Sequence, residues 1–139
     1  MIDVTEEIIS SSLRIATPLA LAALGELVTE KSGVLNLGVE GIMYGSAFVG
    51  IATAAQTGSL TAGLIAALVS GALAGLIFAF TTVTLGVNQH VAGLGLTLLM
   101  ISLCNTANRI IFTADGGQVR VDPWQPLNFG GPIFSQYWL

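Results

Sequence analysis

The sequence predicts an all-α, polytopic integral membrane protein with about four transmembrane helices, and two observations support this prediction. Of the 139 residues, 53% are hydrophobic and only 9% are charged, whereas roughly 25% of the residues in soluble domains are charged. In addition, no Asp, Glu, Lys or Arg occurs between Gly41 and Asn108. One membrane span needs about 20 apolar residues, so this charge-free stretch is long enough for more than one span.

The composition also excludes several functional classes. Cys104 and His90 are single residues of their type, which is too few for a disulfide or a Cys/His metal site. The net charge of −4 includes no basic cluster of the kind that nucleic acids need. The octapeptide GELVTEKS differs from a phosphate-binding loop because Glu30, before Lys31, replaces the glycine that must approach the phosphate. We therefore predict that the chain is not an enzyme and holds no metal or cofactor of its own.

The first span is predicted over residues 8–28, which are enough to cross the membrane as a helix. Asp3 or Thr5, followed by two glutamates, predicts the start of this helix. Arg14 lies near one end, where its long side chain can reach the interface. Pro18 predicts a kink, because proline removes a backbone hydrogen bond.

The second span is predicted over residues 33–55 and contains an ionisable residue, Glu40, roughly 10 Å inside its start. A carboxylate at such a position costs on the order of 3 kcal/mol. At helical spacing, Asn36, Glu40 and Tyr44 form one stripe, which predicts either part of a translocation pathway or a structural polar site. The simpler alternative is that Glu40 only forms hydrogen bonds with neighbouring helices.

A glycine face accompanies this stripe and consists of Gly38, Gly41 and Gly45. Such a face lets a second helix approach closely, because helices in a bilayer associate through packing. Glycine also weakens a helix by roughly 1 kcal/mol relative to alanine. We therefore predict a break near residues 36–41, and interrupted helices of this kind line transport pathways.

The third span is predicted over residues 60–87, the longest apolar stretch of the chain. Small residues recur at every fourth position, which predicts a closely packed face between helices. These residues are Gly63, Ala67, Gly71, Gly75 and Ala79.

The fourth span is predicted over residues 91–112 and follows a polar turn that contains His90. Four amide side chains in and before this span are candidates for contacts with a solute or with other helices, and contacts between helices are the simpler alternative. They are Asn88, Gln89, Asn105 and Asn108. His90 is interpreted as an interfacial hydrogen-bonding residue.

Residues 113–136 are rich in glycine and proline and predict an extramembrane stretch. Trp124, Tyr137 and Trp138 suit a membrane interface. Because the chain ends on apolar residues, we predict that a fifth span starts here and that the sequence is truncated.

Two segments resemble a known family of transport proteins. SGVLNLGVEGIMYGSAFVG, residues 32–50, resembles the second span of bacterial ABC importer permeases of the nucleoside and simple-sugar branch. GVNQHVAGLGLTLL, residues 86–99, is similar to the VNQVVSGLALNLL-type stretch of that family, with His90 where valine is usual. Members are roughly twice this length and carry a G-x-N-P-x-A-A-type loop for the ATPase, which is absent from this sequence. The resemblance therefore implies an N-terminal fragment.

The resemblance also implies a function and a set of partners. It implies a permease subunit of the bacterial or archaeal plasma membrane that imports a nucleoside or simple sugar, while ATP is used by a partner subunit. The partners are a cytoplasmic ABC ATPase, a second permease subunit and an extracytoplasmic solute-binding protein. The alternatives are a branched-chain amino-acid permease of the same superfamily and a structural or assembly membrane protein without transport activity. The few basic residues favour an inside N-terminus, whereas the resemblance implies the opposite orientation.

Overall fold

The computed structural model describes residues 2–112, apart from the side chains of residues 2, 3, 6, 7 and 10. Four α-helices and one π-helical turn make up this part, and it contains no strand. The elements are α1 (Ile2–Lys31), α2 (Val39–Thr57), α3 (Leu60–Ala79) with the π turn Phe80–Thr84 at its end, and α4 (Gln89–Phe112). The predicted all-α class is confirmed. The predicted extramembrane stretch 113–136 and the apolar end lie outside the described residues.

Three helical segments are long and apolar enough to cross a membrane, namely Ser11–Lys31, Leu60–Thr84 and Gln89–Phe112. The second predicted span, 33–55, differs, because its helix α2 begins only at Val39 and has 19 residues. At 1.5 Å per residue, such a helix is about 28 Å long. Glu40 and several small residues also make α2 less apolar than α3, and α2 is not among these three segments.

The chain divides into two compact units, each of which is described by itself. In the first unit, the described part is α1 up to Gly25, which continues through Pro18. None of the residues in the apolar window Ser11–Lys31 is buried, so α1 contributes little to a core. In the second unit, the described part starts at Glu26 and contains the other helices.

Within the second unit, α2 is the central element. It packs against α3 and against α4, while α3 and α4 contact each other far less. The buried apolar residues are mostly small, as expected where backbones approach closely. They are Ala52, Ala54, Ala74, Phe78, Leu96 and Cys104.

The contact between α2 and α3 is formed by glycine and alanine. A Cβ atom on Gly63 would lie 2.7 Å from the carbonyl oxygen of Gly50 and 2.8 Å from Cβ of Ala54. A Cβ atom on Gly50 would lie 3.0 Å from Cβ of Ala67. The two backbones therefore approach each other without a side chain between them.

Only part of the small-residue face of α3 takes part in this contact. Gly71 lies next to Ser46 of α2, because a Cβ atom there would be 2.9 Å from the serine hydroxyl. Outside the adjacent backbone of α3 itself, no atom lies within 4 Å of such a position on Gly75, and Ala79 is exposed. The regular spacing predicts a face along all of α3, but its last two members lie away from α2.

Specific hydrogen bonds close the helix ends at the connections between α2, α3 and α4. Gly58 adopts φ 66° and closes α2 by donating from its N–H to the carbonyl of Ala54 at 2.9 Å. Ser59 then caps α3 by accepting from the N–H of Ala62 at 3.4 Å. After α3 the helix widens, and Leu85 N–H donates to the carbonyl of Phe80 at 3.1 Å in the π turn.

The difference between Gly63 and Gly75 can be tested by alanine substitution. Gly63→Ala is expected to lower the free energy of unfolding by about 1–3 kcal/mol, because the new methyl group overlaps the backbone of α2. Gly75→Ala is the control and should be neutral or slightly stabilising, because its methyl group enters open space. Unfolding of the purified chain in mixed micelles, followed by circular dichroism, measures both. Equal destabilisation by the two substitutions would contradict the packing described here.

Candidate functional site

The most unusual feature of the second unit is a break in helical structure between α1 and α2. Residues 32–38, here called the unwound segment, connect the two helices, and residues 34–36 within it form neither a helix nor a turn. The sequence predicted a break near residues 36–41, but Gly41 lies inside α2. The break comes earlier because Gly33 adopts φ 86°, a left-handed conformation that ends α1.

The beginning of the unwound segment is closed by backbone hydrogen bonds. The N–H of Gly33 donates to the carbonyl of Glu30 at 2.9 Å, and the N–H of Val34 donates to the carbonyl of Thr29 at 3.2 Å. This pair of bonds is the Schellman pattern that often terminates helices at glycine. The chain therefore leaves α1 with its first free donors already satisfied.

Side chains hold the rest of the unwound segment. The N–H of Leu35 donates to Oε1 of Gln89 at 2.7 Å, and the N–H of Asn36 donates to Oε1 of Glu26 at 2.8 Å. Further along, the N–H of Gly38 donates to Oδ1 of Asn36 at 3.0 Å. We call Glu26 and Gln89 the clamp, since these residues of α1 and α4 fix the backbone before α2.

Glu26 was not recognised as a site residue from the sequence. Both oxygens of its half-buried carboxylate accept hydrogen bonds, because Thr29 Oγ1 also donates to Oε2 at 3.1 Å. The sequence carries no local signal that separates Glu26 from Glu30 of the same helix, because the helix dipole acts only within the last turn.

The predicted stripe of Asn36, Glu40 and Tyr44 is only partly assembled. Asn36 lies in the unwound segment and not on α2. Glu40 lies in the first turn of α2, not two turns inside a helix, and the dipole favours an acid there. Its side chain is exposed and has no hydrogen bond or ion pair with the described residues. Tyr44 donates from its hydroxyl to Oδ1 of Asn105 at 3.2 Å, which links α2 to α4.

The glycine face of α2 lies against α4. A Cβ atom on Gly41 would collide with the backbone of Thr97, and one on Gly45 would lie 3.1 Å from Sδ of Met100. Oγ1 of Thr97 is buried at this contact and has no hydrogen-bond partner in the described part of the chain.

The same face of α4 contacts the unwound segment. A Cβ atom on Gly93 would lie 2.9 Å from the backbone nitrogen of Gly38 and 2.9 Å from the carbonyl carbon of Leu37. A Cβ atom on Gly38 would in turn lie 3.3 Å from Cδ2 of Leu96. Glycine therefore allows α4 to approach the backbone where α2 begins.

The four amide candidates in and before α4 differ in their hydrogen bonding. Asn88 caps α4, because its Oδ1 accepts from the N–H of His90 at 3.0 Å and its carbonyl accepts from Ala92 at 2.9 Å. Asn108 is exposed and has no partner among the described residues. The structure brings Gln89 to the unwound segment and Asn105 to Tyr44, but it leaves Asn108 outside both contacts.

A cavity of about 250 Å³ lies between α2, α3 and α4, next to Gly45, Met100 and Cys104. Its two serines do not offer donors to a ligand. Ser46 donates to the carbonyl of Ile42 at 2.6 Å, and Ser70 donates to the carbonyl of Ala67 at 3.0 Å. An apolar cavity of this kind does not suit a polar solute. Among the described residues there is also no cluster of His, Cys, Asp or Glu that could hold a metal.

Within residues 2–112, helices that are apolar and long enough to cross a membrane, together with the non-helical segment 32–38, fit a membrane transport protein. The chain belongs to the family described as branched-chain amino acid transport system / permease component, whose model matches residues 8–135. The predicted membership in this permease superfamily is thereby confirmed. The family and the three apolar segments indicate a multi-pass protein of a prokaryotic plasma membrane, and the members are transport permeases rather than enzymes.

Three relatives give more detail. A Haloferax volcanii protein, TsgC13, is named as a permease of a glucose ABC transporter and is 40% identical over 92 residues, which are 66% of this chain and 28% of the relative. The guanosine ABC transporter permease NupQ of Bacillus subtilis is 32% identical over 111 residues, 73% of this chain and 34% of the relative. The nucleoside ABC transporter permease NupC of Lactococcus lactis is also 32% identical over 111 residues, which are 74% of this chain and 34% of the relative. The matched part of the chain thus spans about a third of the length of each relative. No solved structure matches the chain.

The clamp can be tested at Glu26. Glu26→Ala is expected to leave the N–H of Asn36 unpaired, at a cost of about 1–3 kcal/mol. Hydrogen exchange at Asn36 should accelerate by about tenfold for each 1.4 kcal/mol lost. Glu30→Ala is the matched control, because the Glu30 side chain is exposed at the end of the same helix. Unchanged exchange at Asn36 in Glu26→Ala would show that Glu26 does not hold the segment.

The contact at Gly93 leads to a second prediction. Gly93→Ala should lower the thermal unfolding midpoint in detergent, because its methyl group would meet backbone atoms of Leu37 and Gly38 that cannot rotate away. Gly95→Ala, two residues along α4, is the control, since a Cβ atom on Gly95 meets no atom within 4 Å. If both variants keep the original thermal unfolding midpoint, α4 does not contact the backbone of the unwound segment closely.

Proposed function

We propose that the chain forms part of the translocation pathway in the permease subunit of an ABC importer for a nucleoside or a simple sugar. The names of the three relatives support this substrate class, because they refer to glucose, guanosine and nucleosides. The family description refers to branched-chain amino acids, which was the predicted alternative. None of these three relatives is named for an amino acid, so this alternative is not favoured.

The unwound segment is the observation on which the proposal depends. Non-helical backbone within a membrane protein is tolerated only where protein buries it or where it lines a water-filled cavity. In transporters, interrupted helices place backbone polar groups where they meet the solute. Here the clamp holds the backbone of Leu35 and Asn36 in a non-helical segment shortly before α2. A fixed, polar break of this kind suits the wall of a solute pathway.

Side chains around this break divide into two groups. Asn36, Gln89, Tyr44 and Asn105 are engaged in hydrogen bonds with other residues, which supports a structural role for them. Glu40 is exposed at the start of α2 and has no partner among the described residues. We therefore propose Glu40 as the side chain of the predicted stripe that faces the pathway.

Energy and delivery of solute come from other subunits in this proposal. Import against a gradient needs an energy source, and the sequence has no phosphate-binding loop of its own. A cytoplasmic ABC ATPase would hydrolyse ATP, a second permease subunit would complete the pathway, and an extracytoplasmic binding protein would deliver the solute. No cofactor is assigned to this chain.

Transport in proteoliposomes tests the proposal. The permease that contains this chain is reconstituted with its ATPase and binding protein, and ATP-dependent uptake of labelled guanosine, glucose and leucine is measured. We expect uptake of guanosine or glucose but not of leucine. Glu40→Ala should lower this uptake by about tenfold or more, since a hydrogen bond to a charged group contributes about 1.5–3 kcal/mol.

Glu30→Ala is the control for Glu40→Ala, because it removes an exposed carboxylate on the other side of the unwound segment. Uptake of leucine alone would favour the amino-acid permease instead. A correctly assembled complex that hydrolyses ATP but moves none of the three solutes would support a structural role for the chain.

A further inference from the structure

The side-chain hydrogen bonds of Asn36 and Gln89 use only one end of each amide. Oδ1 of Asn36 accepts from the N–H of Gly38 at 3.0 Å, and Oε1 of Gln89 accepts from the N–H of Leu35 at 2.7 Å. Because only an oxygen can accept these bonds, they also establish which end of each amide carries the NH2 group. Neither NH2 group has a hydrogen-bond partner among the described residues. Each of the two amides therefore keeps two free N–H donors.

These free donors lie along one short stretch of backbone. The two amide oxygens are bound at Leu35 and Gly38, three residues apart, and at 3.8 Å per residue these two points are at most about 11 Å from each other. Both side chains are half-buried, so they are partly withdrawn from water but still reach the surface. Polar groups withdrawn from water are normally paired in a folded protein. The two NH2 groups thus require a partner beyond the described residues.

Free acceptors occur on the same stretch. The carbonyl groups of Val34, Leu35 and Leu37 accept no hydrogen bond from any residue within the described range 2–112. A carbonyl oxygen that lacks a partner remains a strong acceptor. The unwound segment therefore combines side-chain donors with backbone acceptors. A hydroxyl group complements such a surface, because its oxygen accepts from an NH2 group while its hydrogen is donated to a carbonyl.

We propose that Asn36 and Gln89 contact the solute directly. Their amide oxygens hold the unwound segment, and their NH2 groups donate hydrogen bonds to hydroxyl oxygens of the solute. This inference rests on the proposed function, because it requires that the segment lines the pathway. It assigns a specificity-determining role to two side chains whose bonds within the protein indicate only a structural role. Loss of one solute hydroxyl should then matter only while the NH2 group that faces it is present.

Acid substitutions separate the two roles of each amide. Gln89→Glu keeps an oxygen that accepts from the N–H of Leu35 but replaces the NH2 group by a second acceptor, whereas Gln89→Met removes both. Hydrogen exchange at Leu35, in the permease that contains this chain, measures the structural role. It should stay unchanged in Gln89→Glu and become about three- to tenfold faster in Gln89→Met, the effect of one lost hydrogen bond.

Uptake in proteoliposomes measures the contact with the solute. The permease, its ATPase and its binding protein are supplied with the transported guanosine or glucose and with analogues that each lack one hydroxyl group. Both Gln89 variants should lower uptake of the complete solute by about three- to tenfold. The preference for the complete solute over at least one analogue should fall by the same factor, because the missing hydroxyl and the missing NH2 group are partners. The binding protein is the same throughout, so its own preference cancels.

Gln56→Glu is the matched control, because it converts an exposed amide near the other end of α2 into an acid. It should change neither the uptake nor the preference. Asn36→Asp repeats the comparison at the second amide, since it keeps an oxygen for the N–H of Gly38 and removes the NH2 group.

Two results would overturn the inference, and they differ in what they leave standing. If neither Gln89→Glu nor Asn36→Asp changes the preference among the analogues while the unaltered permease transports the solute, the two amides are structural only. In that case the proposed function stands without this inference. If the unaltered permease takes up neither guanosine nor glucose, the proposed function itself is wrong, and the inference falls with it.

Discussion

The close approach of α4 to the backbone around the start of α2 is the contact on which the other features of the second unit depend. Gly93 and Gly38 meet at this contact without side chains, and Gly41 lies directly against the backbone and side chain of Thr97. Helices in a bilayer gain little from hydrophobic burial against each other, so such backbone contacts provide much of their association energy. The same approach brings Gln89, one turn before Gly93, within hydrogen-bonding distance of Leu35.

The unwound segment and Glu26 stabilise each other. A half-buried carboxylate loses part of its hydration, and an unpaired backbone N–H is unfavourable in an apolar environment. The hydrogen bond from Asn36 to Glu26 removes both costs at once. This reciprocity explains why the backbone around Asn36 can remain non-helical before α2.

The two ends of α2 contact different helices. Its first turns contact α4 through glycine and lie next to the polar break, while its second half contacts α3 at Gly50 and Ala54. Between these two contacts the three helices leave an apolar cavity. Polar chemistry is therefore concentrated at the start of α2, and the middle of the helix group offers only packing surface.

The sequence by itself determined the helical class, the family and the existence of a glycine face and a break near the second span. These features depend on local composition: charge-free length, glycine spacing and short motifs. Only the tertiary structure decided that the break begins at Gly33 and that Asn36 lies before α2. It also decided which small residues of α3 meet a partner.

The clamp shows the physical reason for this limit. Glu26 lies 10 residues from its partner Asn36, and Gln89 lies 54 residues from Leu35. Local sequence patterns indicate which backbone conformations a segment can adopt. They carry no information on which distant side chain forms hydrogen bonds with the backbone of that segment. For Gln89, that choice follows from the position of α4, which approaches the segment closely at Gly93.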